Sequence, residues 1–159
     1  VYKQIIIARK DLNMSPGKLS AQVSHGSMAF ITTELRRLSQ AIPRRAMKPF
    51  GSPEEAGDDE TVAYDCEVVF DKDLYEQWID GSFTKCVLQA KNRNHLMKAK
   101  TMAEELGMRE GEDFFLIRDN CYTELEPEDE DGRTLTCIGF KPMDSELIDL
   151  VGKKCHLYM

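Results

Sequence analysis

A chain of 159 residues, 42% of them hydrophobic, is long enough to fill one core and too short for two sizeable domains, so a single domain over residues 1–159 is expected. The net charge is −7, and no run of about 18 apolar residues and no charged-then-apolar leader occurs, which excludes a membrane span and a secretory signal at this stage and leads us to expect a soluble intracellular protein. Five cysteines, odd in number and widely spaced, argue for reduced thiols over a disulfide framework, hence for a cytoplasmic location.

The first element is an uninterrupted β-branched run, Ile5-Ile6-Ile7-Ala8. It is too short for a helix and predicts a strand covered on both faces. Ser15-Pro16 then starts a helix, because a Ser cap accepts an orphan N–H and Pro at the first helical position needs no donor. On that helix Lys18, Gln22 and His25 are spaced four and three apart and line one stripe, while Leu19, Val23, Gly26 and Phe30 line its neighbour. One face packs and the adjacent one is chemically equipped. On spacing alone, Gln22 and His25 read equally well as a solvated helix face. Gly17-Lys18 is not a P-loop: no Gly stands five residues upstream, and Leu19 replaces the Ser or Thr that would hold magnesium.

The helical pattern continues through Ile31 and Leu35 to about Leu38. Residues 39–60 hold three prolines, two glycines and a switch from basic to acidic, and read as an irregular insertion. Alternation over Thr61–Phe70 predicts a peripheral strand, so the insertion spans about 39–70. Asp71 opens a short helix through Trp78 to Gly81, Thr84–Ala90 is a strand, and Asn92–Leu106 is a helix ending at Gly107. Phe114–Ile117 is the next strand, and the order strand, helix, strand predicts parallel pairing with Thr84–Ala90 by a right-handed crossover. A polar loop over 118–131 leads to the strand Thr134–Phe140, which returns in the manner of a hairpin. Asp144–Lys153 is a last helix with Leu147, Ile148 and Val151 inward, and His156–Met159 is a closing extended tail. The predicted fold is α/β, a three-layer sandwich around a mixed four-stranded β-sheet flanked by helices.

Charge is unevenly distributed. Residues 1–50 carry nine basic residues against only Asp11 and Glu34, and a second basic island, Lys85 to Lys100, contains no acid. Acid is concentrated in 54–60 and 124–131. If the basic regions share a face, an acidic protein still attracts a polyanion there, because local potential steers encounter.

The segment from Lys3 to Ser27 resembles the opening of the type II peptidyl-tRNA hydrolase family: a similar strand, then Arg9-Lys10-Asp11-Leu12-Asn13-Met14-Ser15-Pro16-Gly17-Lys18 against that family's R-x-D-L-x-M-[ST]-x-G-K, then Ser20-Ala21-Gln22-Val23-Ser24-His25 against its A-A-Q-x-[AS]-H. Asp119 and Thr123 match its later Asp and Thr, and Gly132, Thr134, Ile138 and Gly139 match the entry to its last strand. The likeness spans most of the chain outside 39–70. It implies hydrolysis of the ester joining peptide to the 3′ ribose of tRNA, with no metal or other cofactor, peptidyl-tRNA as partner, no membrane, and a homodimer as an open expectation. It also implies Lys18, Asp119 and Thr123 as catalytic residues, with Gln22, His25, Thr134, Arg9 and Lys10 holding substrate. Lys18 would stabilise an oxyanion and Asp119 would orient or activate water.

This chain departs from the pattern in the same loop. Asn120 and Cys121 replace the usual Ala and Gly, and the Cys β-carbon is strained if the backbone needs positive φ there. Asn13 and Pro16 stand where lysines are common, Phe140-Lys141 replaces a Pro-rich close, and Glu124–Asp131 adds negative charge beside the site. Two alternatives follow: a non-catalytic RNA- or protein-binding relative, or an esterase for a small acylated substrate. Other chemistries have less behind them. There is no Gly-x-Ser-x-Gly elbow, His25, His95 and His156 are too dispersed for a metal pair, and Cys155 and His156, adjacent in an extended segment, point to opposite faces. The separation of the Lys18 amine from the Asp119 carboxylate is the deciding distance.

Overall fold

In the computed structural model, which describes residues 1–43 and 61–159, the isoleucine run forms β1 (Tyr2–Arg9), the middle strand of the main sheet. Its alternating side chains serve two different layers. Ile5 and Ile7 join Leu96, Ala99, Ala103, Ile148 and Val151 on one face, while Ile6 and Ala8 meet Cys137, Leu19 and Val23 on the other. Each fully buried Ile contributes about 1.5–3 kcal/mol before entropy is subtracted, so this strand anchors both halves of the sandwich.

The first layer is α1 (Pro16–Leu38), whose early turns lie across the sheet. Gly26 and Gly139 make that approach possible: a β-carbon on Gly139 would sit 2.1 Å from the Gly26 carbonyl oxygen. Gln4, fully buried, ties the same helix down by donating from Nε2 to Ser27 O (2.8 Å) and Phe140 O (3.0 Å) and accepting from the Ser27 hydroxyl (2.6 Å). The opposite layer is α3 (Arg93–Glu105) and α4 (Ser145–Gly152), capped by Asn92 and Asp144. Between α1 and the next sheet strand, α2 (Lys72–Leu74) is capped by Asp71 and widens into a π-helix over Tyr75–Ser82. The expected short helix is therefore present, but its second half closes with five-residue spacing, Phe83 N–H donating to Trp78 O at 3.0 Å, a period that 3.6-residue patterning does not reveal.

The sheet runs β5 (Phe114–Asp119), β6 (Thr134–Phe140), β1, β4 (Lys85–Ala90), β8 (His156–Leu157), with β7 (Met143–Asp144) pairing the start of β1. The four long strands are those expected, extended by two two-residue strands. β1 and β4 are parallel, Arg9 opposite Ala90, while β6 is antiparallel to both β1 and β5. One expectation is corrected here. β4 and β5 run in the same direction but do not pair, because the returning β6 fills the place beside β1 and holds β5 outside it. In α4, Ile148 and Val151 face inward as expected, whereas Leu147 is 39% exposed. Among the described residues no helix is long and apolar enough to cross a membrane.

The chain divides into two compact units, residues 1–30 with 70–159, and residues 31–69. The second contains the last turns of α1 and an antiparallel pair, β2 (Gln40–Pro43) and β3 (Thr61–Asp65), with Gln40 opposite Asp65 and Ile42 opposite Ala63. The start of the expected irregular insertion is thus a strand, and the strand expected over 61–70 ends at Asp65. Residues 44–60 of that insertion lie outside the described residues.

Candidate active site

β1 and β5 end on the same edge of the sheet, which brings the start of α1 and the loop after β5 together. Ser15 caps the helix, its hydroxyl accepting from Lys18 N–H at 3.2 Å. That turn directs Lys18 towards β5. Lys18 Nζ lies 2.6 Å from Asp119 Oδ1, with both side chains largely withdrawn from solvent at 13% and 10% exposure. The same ammonium donates to Thr123 Oγ1 at 3.2 Å. Lys18 and Asp119, the first two candidates from the sequence, therefore form one ion pair, and Thr123 completes it.

The carboxylate is fixed from the other sides too. Gln22 Nε2 donates to Asp119 Oδ1 at 3.1 Å, and Cys121 N–H donates to Oδ2 at 2.9 Å. Gln22 is 3% exposed, and its amide orientation is set by Thr136, whose hydroxyl donates to Gln22 Oε1 at 2.7 Å. Cys121 has φ +59, so the loop adopts the left-handed turn despite the β-carbon. The substitution of Cys for Gly leaves the hydrogen bond to Asp119 in place. Donor counting shows what remains free: an ammonium has three protons, of which Asp119 and Thr123 take two, and Oδ2 has one donor and room for another. The arrangement offers a cation and an acceptor side by side.

Residues 2–158 match the profile of the family described as Peptidyl-tRNA hydrolase PTH2. The chain belongs to that family. Among proteins named peptidyl-tRNA hydrolase, it is 33% identical to one from Methanopyrus kandleri over 95% of this chain and 93% of that one. It is 30% identical to one from Haloquadratum walsbyi, covering 98% and 99%, and 27% identical to one from Thermoplasma acidophilum, covering 99% and 98%.

In this PTH2-family chain the remaining sequence candidates fall in different places. Arg9 was expected to hold substrate, but it is 3% exposed and all five of its N–H donors are occupied. Nε and Nη2 donate to Asp11 at 3.1 and 2.8 Å, Nη1 and Nη2 to Glu128 at 2.7 and 2.8 Å, and Nη1 to Leu135 O at 3.0 Å. Burial works to lower its pKa, but the hydrogen bonds it donates to Glu128 and Asp11 prevail and it is raised. Arg9 is a structural clamp. Thr134 is likewise turned inward: fully buried, its hydroxyl donates to Glu126 O at 2.7 Å and accepts from Glu128 N–H at 3.0 Å and from the Cys121 thiol at 3.4 Å, which leaves nothing for a substrate. His25 is exposed, and among the described residues no hydrogen bond joins it to the Lys18–Asp119 pair. Lys10 is exposed, 4.6 Å above the Tyr158 ring, and its amine also meets Met159 O.

Sequence reasoning missed two supports. Thr136, in the apolar strand β6, orients Gln22; a hydroxyl residue inside an otherwise apolar strand needs a buried partner, and that is the signal that could have found it. Glu124 accepts from Ser15 N–H at 2.8 Å and Ser15 Oγ at 2.5 Å, and the Ser15 hydroxyl and N–H hold its carboxyl below the usual range. Part of the acidic loop is compensated by arginines, at Glu128, Asp129 and Asp131. Glu128 is held low first by the Arg9 hydrogen bond, Arg93 lies 3.0 Å from Asp129 and 3.4 Å from Glu128, and Arg133 lies 2.8 Å from Asp131. Among the described residues no three His, Cys, Asp or Glu side chains gather as a metal-ligand set.

Proposed function

We infer that this chain hydrolyses the ester between peptide and tRNA, and that Lys18, Asp119 and Thr123 carry the chemistry. The observation behind the residue assignment is the 2.6 Å Lys18–Asp119 pair with Thr123 at its side. Water bound to the open position on Asp119 Oδ2 attacks the carbonyl carbon. The third proton of the Lys18 ammonium meets the oxygen as negative charge develops on it, where a fixed cation stabilises the transition state more than the ground state. Thr123 accepts from Lys18, so its own proton is directed outward to the substrate. As the tetrahedral intermediate collapses, the bond from carbonyl carbon to the 3′ oxygen breaks. The water has supplied hydroxyl to the peptide and a proton to the ribose oxygen, giving a free carboxyl and an intact tRNA.

Gln22 serves this reading by holding Asp119, with Thr136 behind it. The reading extends to one domain over 1–159 carrying the 39–70 insertion, to a homodimer, and to a cytoplasmic location, with which the five free thiols agree. Light scattering and cell fractionation test the last two.

The decisive experiment is turnover of an N-acylated aminoacyl-tRNA. Wild type releases intact tRNA, while Lys18→Ala and Asp119→Asn lower kcat by about 10²–10⁴ with unchanged circular dichroism. A folded wild type that binds tRNA and never releases the acyl group overturns the reading, and a folded Asp119→Asn with full activity overturns the assignment.

A further inference from the structure

The second basic island noticed in the sequence resolves into two kinds of residue. Lys100 is paired with Glu104, Arg93 with Glu128 and Asp129, and Lys85 lies over the Trp78 and Phe83 rings. Lys91 and Lys98 are left over. Both face a cleft that Lys154, His95, His156 and Asn94 also line, with no carboxylate in its wall, and Lys153 adjoins it. Other lysines are compensated: Lys3 by Asp149, Lys18 by Asp119, Lys72 by Glu76, Lys141 by Asp113. Among the described residues, Lys91, Lys98, Lys153 and Lys154 have no carboxylate within ion-pair distance, and all four are exposed. In a chain of net charge −7, these four ammonium groups without a carboxylate partner are gathered in one place.

That place has a fixed relation to the Lys18–Asp119 pair. Ala90, last of β4, lies opposite Arg9 at the end of β1, and Lys10 N–H donates to Ala90 O at 2.8 Å. Lys91 follows directly. Asp119 is the last residue of β5, on the same edge three strands away in the order β5-β6-β1-β4, a lateral distance of about 14 Å at ~4.8 Å per strand. The position of the ring is set by backbone geometry: His95 Nδ1 accepts from Lys91 N–H at 2.9 Å and His95 N–H donates to Asn92 Oδ1 at 2.9 Å. The loop carrying Lys91 is therefore held to the start of α3, whose next turn carries Lys98.

We propose that the Lys91–Lys98–Lys154 cleft binds the phosphodiester backbone of the RNA whose 3′ ester lies at Lys18. This rests on the hydrolase reading above. An RNA strand leaving the catalytic pair must cross the protein surface, and a cleft on the same sheet edge with unpaired cations and no acid is complementary to it. Flexible point charges suit phosphate oxygens and read no sequence, so the cleft contributes affinity for tRNA in general.

The test is the triple variant Lys91→Gln/Lys98→Gln/Lys154→Gln, measured by anisotropy with deacylated tRNA over a salt series and by turnover of N-acylated aminoacyl-tRNA. Each lost phosphate contact shallows the log–log salt slope by about 0.7, so the slope falls by about 2 and affinity at low salt by about tenfold. KM rises in step while kcat holds, a triple Lys→Arg variant restores binding, and an N-acylated aminoacyl-adenosine, which lacks the backbone, is hydrolysed equally by both proteins. Unchanged affinity and slope in the Gln variant overturn the cleft while turnover leaves the hydrolase reading standing. Salt-steep tRNA binding lost in the Gln variant, in a wild type without turnover, supports the cleft and overturns the hydrolase reading.

Discussion

Replacing Arg9 with Leu separates a clamp from a substrate contact. The guanidinium is 4% exposed, and its removal takes away five hydrogen bonds, two to Asp11 and three that join the end of β1 to Glu128 and Leu135. Breaking a buried ion pair costs about 3–5 kcal/mol. Here the abandoned carboxylates of Asp11 and Glu128 are 36% and 33% exposed and can be hydrated again, so the lower figure applies, about 3 kcal/mol, or about 6–12 °C in Tm for a chain of this size. The pH dependence follows from Glu128, whose folded pKa is depressed chiefly by the Arg9 hydrogen bond. A depressed carboxyl contributes stability that is present above its unfolded value, about 4.3, and is lost as pH falls through the folded one. The stability gap between wild type and Arg9→Leu is therefore full at neutral pH and narrows below about pH 4. Chemical denaturation at several pH values measures it, and steady-state kinetics well below the variant's Tm should give an unchanged KM for peptidyl-tRNA. An unchanged Tm together with a raised KM refutes the structural role and returns Arg9 to the substrate.

Three further substitutions probe the packing around the site. Gly139→Ala drives a β-carbon into the Gly26 carbonyl, 2.1 Å away, and should cost about 3 kcal/mol or more; a thermal melt within a degree of wild type would show that α1 can move off the sheet. Cys121→Gly relieves a side chain at φ +59 and should raise stability by about 0.5–1 kcal/mol, the left-handed penalty less the added flexibility of the unfolded chain, with turnover retained; destabilisation would mean that the thiol contacts outweigh the strain. Thr136→Val strips Gln22 Oε1 of its donor and should cost about 1–3 kcal/mol and lower kcat with KM held, whereas an unchanged kcat would show that Asp119 keeps its place without the relay.

Elements whose signal lies in one segment were legible from the sequence. The isoleucine run, the Ser15 cap, the Asn92–Leu106 pattern and the final helix all appear close to where periodicity and capping put them, since burial on one side of a helix or both sides of a strand leaves its trace locally. Strand neighbours are different. Which strand lies beside β5 depended on β6, which follows it in the chain, and no property of residues 85–117 carries that information. The π-helical widening before Phe83 escaped for a related reason: five-residue closure is set by where Trp78 must sit, at 2% exposure against Phe30, and not by the pattern of its own residues.

Within the site, residue identity told less than pairing. Lys18 and Arg9 are both cations in one motif, yet one retains a free proton at an open edge and the other has all five donors occupied beneath the surface. The eight residues from Glu124 to Asp131 looked like a barrier to RNA, but Arg9, Arg93 and Arg133 pair three of their six carboxylates, and Ser15 holds a fourth by hydrogen bonds. The basic island, conversely, lost Arg93 and Lys100 to acids and kept Lys91 and Lys98. A sum over the sequence weighs all these charges alike. What an approaching polyanion meets is the remainder after pairing, and in the Lys91–Lys98–Lys154 cleft the remainder is positive although the whole chain is not.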